Sequence, residues 1–174
     1  MHDADQLARF EQAILPHLDA AYNLARWLTR RDQDTEDVVQ EAYLRAFQFF
    51  GSFHGGDGRA WLLAVVRNTC YSWMQRQKAH VPVAALDEEA HAVTDAFDPV
   101  LSMVRVEDQK LVRQALGQLP AEFREVIALR ELEGLSYKEI AQIVAIPMGT
   151  VMSRLARARE RLQQLLAPRM NKEP

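Results

Sequence analysis

Residues 135–144 read LSYKEIAQIV, residues 145–150 read AIPMGT, and residues 151–162 read VMSRLARARERL. The outer two segments have helical periodicity and the middle one holds a proline and a glycine, so the three together predict a helix-turn-helix. At about 100° per residue, one stripe of the second helix is apolar: Val151, Leu155, Ala158, Leu162 and Leu165. A second group falls together away from that stripe: Thr150, Arg154, Arg157 and Arg161. The second helix therefore has one face for packing and another that is free to bind.

The cationic face makes DNA the expected partner. Side chains in the first turns of a recognition helix enter the major groove, where a good bidentate base contact contributes about 1–3 kcal/mol. We expect base or nearby phosphate contacts from Thr150, Ser153, Arg154 and Arg157, and phosphate or solvent contacts from Arg159 and Arg161. The alternative is an amphipathic surface helix whose arginines only keep the protein soluble.

The composition is that of a helical globular protein. The chain has 174 residues, of which 48% are hydrophobic, and this suits one large or two small domains. Seven glycines, seven prolines and the lack of alternating β-branched segments predict an all-α fold. No apolar run approaches the roughly 18 residues that span a bilayer, and the N-terminus lacks the basic start of a secretion signal. We therefore expect no membrane insertion, a cytoplasmic location, and a buried, unreactive thiol at the lone Cys70.

The formal net charge of −3 is unevenly distributed along the chain. Residues 1–79 hold nine Lys and Arg against ten Asp and Glu, residues 80–107 hold one against six, and residues 108–174 hold eleven against eight. The three sums are −1, −5 and +3. The modest basic excess thus surrounds the predicted DNA-reading helix, which is compatible with a polyanionic partner.

Breaks in the helical pattern divide the chain into a first lobe over 1–79, an acidic linker over 80–105 and a second lobe over 106–174. In the first lobe we expect four helices. The first ends near Leu15 and the second near Thr29. The third begins at a cap at Asp34 or Thr35 and ends near Phe50, and the fourth covers 59–78. We expect another helix to start near Pro99, before the second lobe, and a further helix over 120–134. The helix-turn-helix follows, and Ser136 would cap its first helix. The prediction is two small helical domains joined by a flexible linker. Because each buries little area, their orientation should need a partner or a stabilising contact.

A second informative stretch is DTEDVVQEAYLRAF, residues 34–47. Four of its residues recur at helical spacing and form a polar face with an apolar spot: Asp37, Gln40, Glu41 and Leu44. Such a face is typical of a docking surface for another protein, and a solvated helix face is the simpler interpretation.

These stretches resemble a known family. Residues 34–47, with GRAWLLAVVRN at 58–68 after a glycine-rich loop, resemble region two of bacterial RNA polymerase sigma factors, particularly the extracytoplasmic-function group. LPAEFR at 119–124, LSYKEIA at 135–141 and GTVMSRL at 149–155 resemble region four. Both regions match in the family's order and cover nearly the whole chain apart from the linker. The resemblance implies a promoter-specificity subunit that needs no cofactor of its own.

The resemblance also implies partners and site residues. Core RNA polymerase would be bound through its flap and through the clamp helices of its largest subunit, which Asp37, Gln40, Glu41 and Leu44 would grip. The minus-ten promoter element would be engaged by the loop at 51–58 and the helix after it, through Phe53, His54, Arg67, Asn68, Tyr71 and Arg76. Phe53, His54 and Asn68 could hold a flipped base, whereas Trp61 is assigned to packing. The arginine helix would read the minus-thirty-five element, and an anti-sigma protein is an expected partner.

Two positions depart from the family pattern. Met152 stands where a basic residue is usual, so promoter preference cannot be carried over from relatives. Ala145 stands where the turn often has glycine, and a positive φ at this residue would cost about 1 kcal/mol or more.

Other functions are less consistent with the sequence. Glu36, Asp37 and Glu41 have no partnering histidine at ligand spacing, so no catalytic or metal constellation can be assembled. A two-domain helix-turn-helix regulator that does not act as a polymerase subunit would share the second lobe, and residues 34–78 argue against it. A pure interaction protein is the third alternative.

Overall fold

The computed structural model describes residues 2–80 and 106–170 and has no strand in those ranges. Its helices are α1 (His2–Ile14), α2 (Leu18–Thr29), α3 (Asp32–Phe49), α4 (Gly58–His80), α5 (Val106–Gln118), α6 (Ala121–Ile127), α7 (Tyr137–Val144) and α8 (Met148–Met170). Two short 3-10 turns, Leu15–His17 and Phe50–Ser52, and a π-helical segment, Ala128–Leu132, complete the elements. The all-α prediction is therefore confirmed. The expected linker, apart from His80 at the end of α4, and the helix start near Pro99 lie outside the described residues.

In the first lobe, α2, α3 and α4 pack against one another and α1 packs on α4. Pro16 lies in the 3-10 turn between α1 and α2, as its fixed φ predicts. The predicted cap of α3 is wrong: the helix begins at Asp32 after an extended Arg31, and no side chain caps it. Thr35 is instead fully buried inside α3, where its hydroxyl donates to the Arg31 carbonyl at 2.6 Å.

A close approach and a hydrogen bond fix the start of α4. A Cβ atom added at Gly58 would lie 2.5 Å from the Ala13 carbonyl oxygen, so α4 can begin this close to α1 only with glycine there. The Asp57 carboxylate accepts a hydrogen bond from the Ala60 amide at 3.2 Å, which satisfies one of the free donors of the first turn. The glycine-rich loop is thereby held against the end of α1.

In the second lobe, α8 packs against α5, α6 and α7. Ser136 caps α7 as predicted, in a full capping box: it accepts from the Glu139 amide at 3.1 Å, and Glu139 accepts from the Ser136 amide at 3.3 Å. The side chains that join the two helices are buried: Ile140, Ile143, Val151, Leu155 and Ala158. This is the predicted helix-turn-helix.

The two lobes also pack against each other. Helix α4 of the first lobe lies on α7 of the second, and α2 lies on α6. At the edge of the contact Glu133 pairs with Arg59 at 3.3 Å and accepts from Asn23 at 3.4 Å. The stabilising contact expected from the small size of each lobe is therefore present within the chain. In residues 2–80 and 106–170, no helix has the length and apolar character needed to traverse a bilayer.

Candidate nucleic-acid and protein interface

The recognition helix α8 has the two faces that the sequence predicts. Val151, Leu155 and Ala158 are buried, whereas Ser153, Arg157 and Arg161 are exposed. Ser153 and Arg157 are tied to the helix backbone, since Ser153 Oγ donates to the Thr150 carbonyl and Arg157 Nε to the Ser153 carbonyl. This part of the helix surface is therefore accessible to a partner.

Thr150 and Arg154 differ from that arrangement because both are partly buried. Helix α8 lies beside α6, and the sequence pattern could not show that Arg154 lies near the acidic Glu125 of that helix. The four-residue cationic face of the prediction is thus split into exposed and partly covered halves.

The turn before α8 is strained at Ala145, which adopts the left-handed conformation with φ 60° and ψ 47° and ends α7. The positive φ that would strain an alanine at this position is therefore present.

We expect Ala145→Gly to stabilise the protein by about 1 kcal/mol and raise Tm by about 2–4 °C, because glycine adopts this φ without a Cβ penalty. Ala141→Gly, inside α7, is the control and should lower stability by about 1 kcal/mol. Thermal unfolding of both variants checks the signs, and a loss of stability in Ala145→Gly would contradict this account of the turn.

The predicted polymerase-binding face lies on α3. Asp37, Gln40 and Leu44 are exposed, and Leu44 is 66% exposed despite being apolar. Glu41 is different, because it accepts from Arg45 at 2.8 Å and from Arg76 of α4 at 3.0 Å. The structure therefore brings together two residues from separate predicted sites, Glu41 and Arg76, in one ion pair that joins α3 to α4.

The loop at 51–58 holds two of the predicted base-holding residues, and these two differ in exposure. His54 is exposed, whereas Phe53 is half-buried in an aromatic cluster. Phe53 stacks on Phe50 at 5.6 Å between ring centroids and contacts Trp61 at 5.5 Å. The assignment of Trp61 to packing is confirmed, and Phe53 also packs against this cluster.

On α4, Asn68 is exposed, but Arg67 and Tyr71 face the second lobe. Arg67 donates from Nε to Glu125 Oε2 at 2.9 Å and from Nη2 to Glu125 Oε1 at 3.3 Å. The Arg67 guanidinium also lies 4.3 Å above the Tyr71 ring, and the Tyr71 hydroxyl is buried beside the same ion pair. Two of the six predicted minus-ten residues are therefore engaged at the interface between the lobes.

The electrostatics of this cluster follow from its burial. Burial raises the pKa of Glu125 above its usual range, although the hydrogen bond and charge of Arg67 and the charge of Arg154 act in the opposite direction. Burial alone would lower the pKa of Arg67, but its hydrogen bond and charge interaction with Glu125 prevail and raise it. Burial and the Glu125 charge also raise the pKa of Tyr71. The cluster is thus a desolvated ion pair held by bidentate geometry.

Arg124, beside Glu125, is a second buried charge that the sequence did not single out. It is 2% exposed and donates to three backbone carbonyls, those of Trp27 at 2.7 Å, Leu28 at 3.3 Å and Leu119 at 2.8 Å. Trp27 and Leu28 belong to the last turn of α2, whose carbonyls have no partner within the helix. Arg124 therefore caps a first-lobe helix from the second lobe. An Arg-Glu pair at 124–125 is ordinary in a helix, so the sequence carried no signal for this role.

Cys70 is buried and unpaired, as predicted. Burial, and to a lesser degree the charge of Glu125, raises the pKa of its thiol to about 12. The thiol is therefore protonated and unreactive at neutral pH.

Each lobe matches a known protein family. Residues 13–80 match the family described as Sigma-70 region 2, and residues 109–162 match Sigma-70, region 4. The chain is 36% identical over 167 residues to the RNA polymerase sigma-H factor of Pseudomonas aeruginosa, covering 91% of this chain and 86% of that protein. It is 36% identical over 155 residues to the ECF RNA polymerase sigma-E factor of Haemophilus influenzae, covering 84% and 81%.

A solved structure has the same fold. The sigma factor RpoE of Bartonella quintana, determined in complex with the anti-sigma factor NepR, superposes with a TM-score of 0.73 at 32% identity, over 91% of this chain and 97% of that chain. These matches show that the chain belongs to the sigma-70 family of RNA polymerase sigma factors, in the extracytoplasmic-function group.

Proposed function

We propose that this chain is an alternative sigma factor that binds core RNA polymerase, directs it to a particular class of promoters and helps open the duplex. The observation that carries the proposal is the pairing of two modules in one chain: a region-two lobe with an exposed ridge on α3, and a region-four lobe with a cationic helix-turn-helix. A helix-turn-helix regulator that is not a polymerase subunit would need only the second module. The chain acts by binding in the cytoplasm, with no chemistry and no cofactor of its own.

In this proposal, polymerase binding is assigned to α3. Asp37, Gln40 and Leu44 form an exposed ridge with an apolar residue at its C-terminal end, which suits a helix that docks on another helix. The clamp helices of the largest subunit are the proposed partner, and the flap is the proposed partner of region four. Glu41 contributes less directly, because it is already paired with Arg45 and Arg76.

DNA reading is assigned to both lobes. The minus-thirty-five element would be contacted by Ser153, Arg157 and Arg161, which are exposed on α8, and by Thr150 and Arg154 once uncovered. The minus-ten element would be contacted by His54, Asn68 and Arg76, and by Arg67, Tyr71 and Phe53 after rearrangement. Residues 1–79, 80–105 and 106–174 would then be the polymerase and minus-ten module, the linker and the minus-thirty-five module. The Bartonella relative's complex also supports an anti-sigma protein as a partner.

The double change Asp37→Ala with Gln40→Ala tests the polymerase-binding ridge. We expect at least tenfold weaker binding to core RNA polymerase, because each change removes an exposed polar contact from the centre of the docking face while the buried face of α3 is untouched. Titration of fluorescently labelled chain with core enzyme measures the affinity. Glu11→Ala with Gln12→Ala, which removes the same two group types from exposed α1 positions, is the matched control and should bind normally. Equal affinities for both double variants would contradict the assignment.

A further inference from the structure

Two large apolar side chains lie on the surface of the recognition helix. Met148 is 48% exposed and Met152 is 51% exposed, and they lie four residues apart at the start of α8. Residues four apart occupy the same side of a helix, so these two side chains are neighbours. A single exposed apolar side chain is ordinary on a protein surface. Two neighbouring ones in the first two turns of this helix form a small apolar patch, Met148 and Met152, which we call the methionine pair.

The residues around Met152 leave its side chain projecting from the helix. Gly149 lies one turn before it and Ala156 one turn after it, and both are exposed and small. Apart from the helix's own backbone, no atom lies within 4 Å of the position that a Cβ would take at Gly149. The thioether of Met152 therefore extends beyond its neighbours and can enter a groove that the helix faces.

The methionine pair is continuous with the surface assigned to DNA. Ser153 follows Met152 directly and Arg157 lies about one turn further along α8, and both are exposed. Because the first turns of a recognition helix enter the major groove, the methionine pair enters it together with these two polar side chains. The neighbouring cation favours a polyanionic duplex over the apolar surface of another protein as the occupant.

The chemistry of a thioether selects one base in the major groove. The edges of the other three bases present donors and acceptors there, whereas thymine adds an apolar C5-methyl group. A thioether has no donor and is only a weak acceptor, so a polar base edge that it covers loses water without gaining a hydrogen bond. Against a thymine methyl, it buries apolar surface of both partners. The unbranched methionine side chain also has three rotatable bonds with which to reach the methyl group.

Resting on the proposed function, we propose that Met148 and Met152 are specificity-determining residues that read thymine methyl groups in the minus-thirty-five element. Four residues of helix advance about 6 Å, and two base-pair steps advance about 7 Å. The two thymines therefore lie within about two base-pair steps of each other. Ser153 and Arg157 supply the polar contacts beside them, and the methionine pair restricts the promoter class to sequences with methyl groups at these positions.

The test starts from a pool of random-sequence duplexes, selected by binding to the full chain with and without core RNA polymerase. Thymine should be enriched at two neighbouring positions of the selected sequence. Each thymine is then replaced singly by deoxyuridine, which removes only the C5-methyl group. We expect about fourfold weaker binding at those two positions, the factor for burying one methylene-sized group. Equal affinity for thymine and deoxyuridine at every position overturns the proposal, and so does the absence of any selected sequence.

Two single variants assign the methyl contacts to the methionine pair. Met152→Gln and Met148→Gln keep the side-chain length and the helix propensity but replace the thioether with an amide. Each should bind thymine and deoxyuridine equally at one of the two positions. Deoxyuridine also alters the duplex itself, so the readout is the difference between proteins, in which the effect on DNA alone cancels. The slope of log affinity against log salt should stay unchanged, because no phosphate contact is removed.

Leu7→Gln is the matched control. It makes the same exchange at an apolar side chain that is 45% exposed on α1, and it should keep the wild-type discrimination at both positions. Circular dichroism verifies that every variant is folded. Discrimination that survives in Met152→Gln and Met148→Gln overturns the proposal. If these variants instead bound core polymerase more weakly, the occupant of the methionine pair would be a protein.

Transcription from the selected duplexes with core polymerase is measured in parallel and tests the proposed function separately. Methyl discrimination without chain-dependent transcripts would reject the sigma factor function and keep the methionine pair as a DNA-reading element. Chain-dependent transcripts without methyl discrimination would keep the function and reject the reading of thymine by the methionine pair.

Discussion

Arg124→Met is expected to lower the free energy of unfolding by about 3–5 kcal/mol, because it leaves three backbone carbonyls without a donor inside the protein. A buried acceptor that loses its partner costs about 1–3 kcal/mol, and methionine cannot replace the hydrogen bonds although it fills much of the volume. The carbonyls of Trp27 and Leu28 also end α2, so the loss reaches the core of the first lobe. This is a large part of the stability of an ordinary domain.

The charge state of Arg124 does not weaken this expectation. Burial, helped by the charge of Arg30, lowers the pKa of Arg124 to about 9, which is still above neutral pH. The side chain therefore keeps all its donors at pH 7. Arg130→Met is the matched control, since Arg130 is partly buried in region four and donates to a single carbonyl, that of Leu135, at 2.8 Å. It should cost about 1 kcal/mol.

Urea unfolding of the two methionine variants and the wild type measures the difference. If Arg124→Met lost no more stability than Arg130→Met, the description of Arg124 as the cap between the lobes would be wrong. A changed slope with denaturant would show that the lobes no longer unfold together.

Arg154→Ala with Arg157→Ala is expected to weaken promoter binding by the polymerase holoenzyme about thirtyfold or more, which corresponds to about 2 kcal/mol. A good bidentate base contact contributes about 1–3 kcal/mol, and these two arginines lie in the first three turns of the recognition helix. Binding to core polymerase should remain unchanged, because α3 of region two is untouched. Promoter affinity is measured by titrating a fluorescent promoter duplex with holoenzyme at several salt concentrations.

The salt series separates base contacts from phosphate contacts. Each lost phosphate contact lowers the slope of log affinity against log salt by about one, whereas a lost base contact leaves the slope unchanged and relaxes specificity. Arg159→Ala is the matched control on the same helix, because the Arg159 guanidinium is paired with Glu131 instead of being available to DNA. An equal loss in the control and the double variant would contradict the assignment of the DNA-reading face.

Local features of the fold were predictable from the sequence because they depend on near neighbours. The apolar stripe through Val151, Leu155 and Ala158 predicted the packed face of α8, and Ser136 followed three residues later by Glu139 predicted the start of α7. The exposed ridge on α3 likewise followed from helical spacing at Asp37, Gln40 and Leu44.

Contacts between distant parts of the chain were not predictable in this way. Arg67 and Glu125 are 58 positions apart, and nothing in the spacing of either indicates that they pair. The same holds for Arg124, which meets α2 about 96 positions away. Phe53 was interpreted as a residue that could hold a flipped base, and the structure places it in contact with the rings of Phe50 and Trp61. Only the tertiary packing shows which group each of these side chains meets.

The interface between the lobes holds the two family regions together in one chain. The chain carries both regions of the family, region 2 in the first lobe and region 4 in the second. Their contact through Glu125, Arg124 and Glu133 explains how the same chain can be compact when alone.

The central claim is that this chain gives core RNA polymerase its promoter specificity. The most direct measurement is run-off transcription with purified core enzyme, this chain and a library of promoter fragments. The account predicts transcripts that require the chain and start from a subset of fragments with shared upstream sequences, and it predicts their loss with Asp37→Ala and Gln40→Ala. No chain-dependent transcripts, together with no association between the wild-type chain and core enzyme, would contradict it.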